Sequence, residues 1–94
     1  MKHASLAYLD HVRGQRCAAC GYPNAQPHHL RAVGMGCNRK HPMKRHFTAV
    51  PLCAKCHREV EQIGMKKFAE RYVVDLYFEC LNTLADFIWK EQSW

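Results

Sequence analysis

Two cysteine pairs of identical spacing, Cys17-Ala-Ala-Cys20 and Cys53-Ala-Lys-Cys56, constrain this chain more than any other feature. Two residues between thiols let one tight turn present both sulfurs to the same point, and two such turns complete the tetrahedral thiolate shell that zinc takes in structural sites. The 32 residues between the pairs exceed ordinary zinc-finger spacing, so something substantial is inserted between the turns. A redox reading would need a strand-to-helix setting of the thioredoxin kind, which is missing around Cys17 and unclear around Cys53. A metal staple also suits the size: a chain of 94 residues buries a modest fraction of its surface and gains from a support beyond its core. Of the other cysteines, Cys80 falls on an apolar helix face and reads as a small core residue, while Cys37 is given no role.

Met1 to Leu9 lack a charged-then-apolar leader with a small-residue cleavage site, so a reducing cytoplasm is expected, where paired cysteines read first as metal ligands. No apolar run approaches the roughly 20 residues needed to span a bilayer, and no membrane association is expected. Charge is uneven. Residues 1–60 hold ten Lys and Arg against two acids, and residues 61–94 hold four against six, which divides the net +6 into +8 and −2. A zinc ion with four thiolates would bring the total to about +4, still a basic surface suited to a polyphosphate or simply to solvent.

A single domain, 1–94, is expected, since no repeat, low-complexity tract or long linker interrupts the chain. Leu6, Leu9 and Val12 predict a short N-terminal helix with Ser5 as its N-cap. From Gly14 to Pro51 the Gly, Pro, Asn and basic content predicts loops and a small hairpin, with His46–Leu52 as a strand that Pro51 would end. A helix from about Cys53 to Ile63 should stop at Gly64. The zinc-bearing core thus covers about 14–64. Beyond it, Phe68, Tyr72, Leu76, Cys80, Leu84 and Ile88 recur every four residues and predict one long C-terminal helix, about 65–91, that supplies most of the core.

The insertion between the cysteine pairs carries the most informative histidines. His28 and His29 are adjacent, and His57 follows directly on Cys56 at a helix start, with Glu61 four residues on. Residues i and i+4 share a helix face, so His57 and Glu61 can address one ion. Neighbours on a strand point to opposite sides, so His28 and His29 are suited to different tasks: one imidazole as a metal ligand, the other as a base. A cation held by His28, His57 and Glu61, the last an open question, would leave positions for phosphate oxygens, while His29 takes a proton from the attacking water. An ordinary imidazole base would lose activity below about pH 6. Arg39, Lys40, Lys44 and Arg45 form a basic stretch suited to a nucleic-acid backbone or to a merely solvated loop.

In order and spacing, Cys17-Ala-Ala-Cys20-Gly21, Pro27-His28-His29-Leu30, Gly34-Met35-Gly36 and Val50-Pro51-Leu52-Cys53-Ala54-Lys55-Cys56-His57-Arg58-Glu59 resemble the HNH, or ββα-metal, endonucleases, in particular small phage and prophage members with a four-cysteine zinc site. The similarity spans about Tyr8 to Tyr72. The resemblance implies an α+β fold: a zinc-stabilised ββα-metal domain with a short N-terminal and a long C-terminal helix. It implies His29 as general base, and His28 and His57 as ligands of Mg²⁺ or another divalent ion such as Mn²⁺ or Ni²⁺, beside a structural Zn²⁺. The implied reaction is hydrolysis of DNA to a 5′ phosphate and a 3′ hydroxyl, in phage or prophage DNA processing or recombination within a bacterial cytoplasm. Certain phage relatives act with a recombination protein, which makes such a partner an expectation here. The middle Asn of the family motif has no clear counterpart, although His46 and Thr48 lie near its register, and Glu61 stands where several relatives carry His or Asp.

Two further readings stand beside the endonuclease: a zinc-ribbon-like DNA-binding module without catalysis, and a protein-interaction adaptor using the C-terminal helix. The first has no use for His29, and the second predicts no affinity for nucleic acid. Composition leaves open whether the chain is a monomer or a weak homodimer, and whether the DNA is duplex, single-stranded or branched.

Overall fold

A computed structural model describes residues 3–30 and 42–91. Within them the order is α1 (Ala4–Arg13), β1 (Ala25–His29), a 3-10 helix (Pro42–Thr48), β2 (Ala49–Cys53), α2 (Ala54–Ile63), α3 (Met65–Tyr72) and α4 (Leu76–Glu91). The protein is an α+β structure: β1 and β2 pair antiparallel in a two-stranded sheet, and helices surround it. Among the described residues, no helix is long and apolar enough to cross a membrane.

Strand β2 is the spine, and all five of its residues are buried. Its alternation splits the interior in two. Val50 and Leu52 join Leu30, Val60, Phe68 and Leu76 in the larger apolar cluster. Ala49 faces a smaller one with Tyr8, Leu9, Val12 and Phe87. The hydroxyl of Tyr8 donates to the Ala49 carbonyl at 2.7 Å, which ties α1 to the strand and satisfies a buried phenol. Cys80 is buried with its sulfur 3.6 Å from the carbonyl oxygens of Phe47 and Ala49, the core position expected of it.

Four local expectations need correction. The N-cap of α1 is His3, whose Nδ1 accepts from the Ser5 backbone N–H at 3.0 Å; Ser5 lies inside the helix and is fully buried. Residues 46–48 belong to the 3-10 helix rather than to the strand. Pro51 does not end β2 but sits in its middle, opposite Pro27. In an antiparallel ladder every second pair turns its N–H and C=O away from the partner strand, so two prolines that face each other there sacrifice no ladder bond. The outward carbonyl of Pro51 accepts instead from the Ala18 N–H at 2.8 Å, which docks the first cysteine turn on the sheet.

The predicted long C-terminal helix is two helices. Val73 takes a left-handed conformation, φ 52° and ψ 52°, and caps α3, while the Asp75 carboxylate accepts from the N–H groups of Tyr77 and Phe78 and starts α4. Phe68, Leu76, Cys80 and Phe87 are buried, but Tyr77, Phe78, Leu81, Ile88 and Trp89 are exposed, so α4 buries only part of its apolar surface. Gly64, at φ 88°, makes the turn between α2 and α3, a conformation that side chains rarely adopt. Glu59 on α2 then accepts from Arg71 and Tyr72 on α3, at 2.7 and 2.6 Å, and fixes that corner.

Candidate metal centres

The first cysteine turn closes through Gly21 N–H to the Cys17 carbonyl at 2.9 Å and Cys17 N–H to the Tyr22 carbonyl at 2.8 Å, with Gly21 at φ 79°. The second is the β2–α2 junction, where the Cys53 sulfur caps α2 by accepting from the Cys56 N–H. These turns bring the four sulfurs of Cys17, Cys20, Cys53 and Cys56 within 4.8 Å of one another. Sulfurs sharing a tetrahedral zinc ion stand about 3.8 Å apart for Zn–S bonds near 2.3 Å; Cys20 and Cys53 are at 3.6 Å. The four thiols are free, and all but Cys20 are buried. Burial pushes the Cys17 thiol up, but the backbone amides of Cys53, Cys20 and Ala19 outweigh it and bring the group down to about 7. Burial and the neighbouring thiols push Cys56 up. The cluster is compatible with structural zinc.

One residue beyond Cys56, a second donor set begins. His57 and Glu61 share a face of α2, and β1 lays His28 against them. The Glu61 Oε1 atom is 3.7 Å from both His28 Nδ1 and His57 Nε2, and the two rings meet edge to face with centroids 5.1 Å apart. Ligand atoms of one ion at bond lengths near 2.1 Å stand about 3.0–3.4 Å apart; the two contacts to Glu61 are near that spacing, and all three ligand atoms lie within 4.8 Å of one another. Chemically, two imidazoles and a carboxylate suit a divalent ion of the Mg²⁺ to Zn²⁺ range. The side chains are 11 % (His28), 28 % (His57) and 50 % (Glu61) exposed, and a cleft of about 440 Å³ lined by Gln26, His57, Arg58 and Glu61 opens beside them.

His29 stands apart from this trio. Strand alternation turns it the other way, and its Nε2 meets His46 Nδ1 at 3.0 Å. Burial, then His46, Arg45, His28 and His57, lower its affinity for a proton, and it falls to about 4. Its imidazole therefore stays neutral well below the pH at which an ordinary histidine is protonated, and an acid limit near pH 6 is no longer expected of this residue. Lys44 and Arg45 are exposed on the 3-10 helix, with Arg45 near enough to act electrostatically on His29. Arg39, Lys40 and Cys37 lie outside the described residues, as does the Gly34-Met35-Gly36 segment.

Two site residues escaped the sequence reading in whole or in part. The sequence puts His46 at the start of a strand and near the register of a missing motif residue, yet it is the direct partner of His29. Gln26, whose Oε1 lies 3.0 Å from His57 Nδ1, belongs to none of the sequence motifs. Its signal was available in period two: Gln26 and His28 lie on the same face of β1.

Residues 1–86 match the model of a family described as Protein of unknown function (DUF968). No curated protein and no solved structure matches the chain.

Proposed function

The chain belongs to the DUF968 family, and we propose that it is a metal-dependent endonuclease of the HNH type that hydrolyses DNA phosphodiester bonds. The observation that carries the reading is the division of labour along β1: His28 joins His57 and Glu61 in a three-donor set, while the next residue, His29, is held by another imidazole outside that set. The four-cysteine cluster would hold structural zinc and fasten the turn that follows α1 to the β2–α2 junction. A divalent cation bound by His28, His57 and Glu61 would supply stabilisation of charge growing on the phosphate.

His29, neutral over the physiological range, accepts a proton from water as the water oxygen attacks phosphorus. The bond from phosphorus to the 3′ oxygen breaks, the departing oxygen takes a proton from solvent, and a 5′ phosphate and a 3′ hydroxyl remain. His46 holds the His29 ring through its Nε2, so the other ring nitrogen is the one left to take the proton. Arg58 at the cleft, with the exposed Lys44 and Arg45 on the 3-10 helix, supplies positive charge for the nucleic-acid backbone.

The test is incubation of plasmid and single-stranded DNA with Mg²⁺, Mn²⁺ or Ni²⁺, comparing wild type with His29→Ala. Metal-dependent cutting should fall by about 10²–10⁴-fold in the variant, the range removed with a general base. Equal cutting by both proteins would assign the base elsewhere. Salt-sensitive DNA binding by both without any cutting would leave a zinc-bearing DNA-binding module in place of the enzyme.

A further inference from the structure

We propose that Gln26 is a positioning residue: it fixes the tautomer of His57 so that Nε2, the nitrogen turned toward Glu61, offers its lone pair to a cation. The proposal rests on reading His28, His57 and Glu61 as a metal site. A neutral imidazole carries one N–H and one acceptor nitrogen, and the hydrogen bond at one nitrogen dictates the state of the other. The Gln26 Oε1 atom, 3.0 Å from His57 Nδ1, is an acceptor only, so the proton belongs on Nδ1 and Nε2 is free to ligate. The opposite tautomer would point an N–H at Glu61 Oε1, 3.7 Å away, and exclude a cation from between them.

The fold builds this arrangement from a two-residue step. Gln26 pairs with Leu52 and His28 with Val50, so both side chains leave the same face of β1 and both reach the first turns of α2. One strand face thus delivers a ligand and the clamp of a second ligand. Gln26 is exposed and lines the open cleft, so it does little for packing. Partners of this kind typically account for 10–100-fold in metal affinity.

The experiment titrates Mn²⁺, a hard ion with little affinity for thiolates, into the zinc-loaded protein and follows free Mn²⁺ by electron paramagnetic resonance. Wild type, Gln26→Leu and Gln26→Glu are compared. Gln26→Leu, which keeps bulk without an acceptor, should bind about 10–100-fold more weakly, while Gln26→Glu, which can only accept, should keep the affinity of wild type or exceed it. A second readout needs no metal: ¹⁵N imidazole shifts should show His57 protonated on Nδ1 in wild type and redistributed in Gln26→Leu. Equal Mn²⁺ affinity in wild type and Gln26→Leu, or a His57 protonated on Nε2 in wild type, overturns the role of Gln26 and leaves the metal site standing. A wild type with no Mn²⁺ site overturns both.

Discussion

The two donor clusters share one joint and differ in their access to solvent. Cys53 and Cys56, at the start of α2, are 4 % and 1 % exposed; the side chain of the very next residue, His57, is 28 % exposed, and that of Glu61 is 50 %. The cysteine set has four like donors, three of them buried and only Cys20 exposed, which is a full tetrahedral shell. The histidine set has three mixed donors at the rim of a cleft. Structural zinc sites are closed and catalytic sites keep an open position, so the distinction is drawn by what surrounds each cluster. Ligand spacing alone does not draw it, because Cys53 to Cys56 and His57 to Glu61 are both single-turn repeats.

If that contrast is right, removing one ligand from each cluster should have unequal consequences. Cys53→Ala removes both a thiolate and the cap of α2, and it should release zinc and unfold the chain at 25 °C, since structural zinc contributes folding free energy on the order of 10 kcal/mol. His57→Ala should lose Mn²⁺ binding yet keep its zinc and a melting temperature within a few degrees of wild type. Metal analysis after dialysis, thermal denaturation and Mn²⁺ titration on the same preparations decide the matter. A Cys53→Ala protein with zinc and melting temperature intact would end the four-cysteine assignment, and an unfolded His57→Ala would show that the two clusters are one structural unit.

The parts of this contrast that could be read from sequence are those set by neighbours within one or two turns. The cysteine pairs, the i to i+4 relation of His57 and Glu61, the opposed directions of His28 and His29, and the stop at Gly64 all follow from local geometry. What could not be read depends on partners distant in the chain. Pro51 looks like a strand breaker until Pro27 is known to face it and Ala18 to take its carbonyl. Gln26 becomes informative only once β1 is laid on α2, and His46 only once the 3-10 helix returns to His29. The elbow after α3 is a different kind of miss. The four-residue apolar rhythm from Phe68 to Ile88 predicts one helix and carries no sign of the left-handed turn at Val73.

Another histidine sharpens the comparison, because it is partly buried without belonging to either cluster. His11 packs against Tyr8 and Phe87, with ring centroids 6.4 and 5.6 Å away, and its buried Nε2 has no hydrogen-bond partner among the described residues. Burial, followed by the charge of Lys90, lowers its proton affinity, against the upward pull of Asp86, Glu91 and the Thr83 backbone. The unfolded chain then takes the proton first as pH falls below about 6.5. The contribution of neutral His11 is complete above that pH and is lost as acid drives the imidazole to its charged form. His11→Phe keeps an aromatic ring and removes both the titration and the unpartnered nitrogen. Melting curves at pH 7.5 and 5.5 should show a smaller acid loss in the variant than in wild type. An equal loss would place the acid sensitivity in the metal clusters, where ligand protonation acts in the same direction.

The smallest expected effect separates stability of the fold from geometry of the ligands. Val73 holds a left-handed conformation at φ 52° while 91 % exposed, so its side chain adds strain and almost no packing. That conformation costs an ordinary residue about 1–2 kcal/mol, and glycine adopts it freely at the expense of a more flexible unfolded chain, about 0.5–1 kcal/mol. Val73→Gly should therefore stabilise the protein by up to about 1.5 kcal/mol in urea denaturation, the largest difference between these terms. Neither donor cluster includes Val73, so zinc content and Mn²⁺ affinity should stay at their wild-type values. A rise in stability accompanied by a change in Mn²⁺ affinity would mean that the open histidine set is shaped by how firmly α3 and α4 are held. The cleft would then belong to the mobile part of the fold, and the cysteine turns would not be enough to define it.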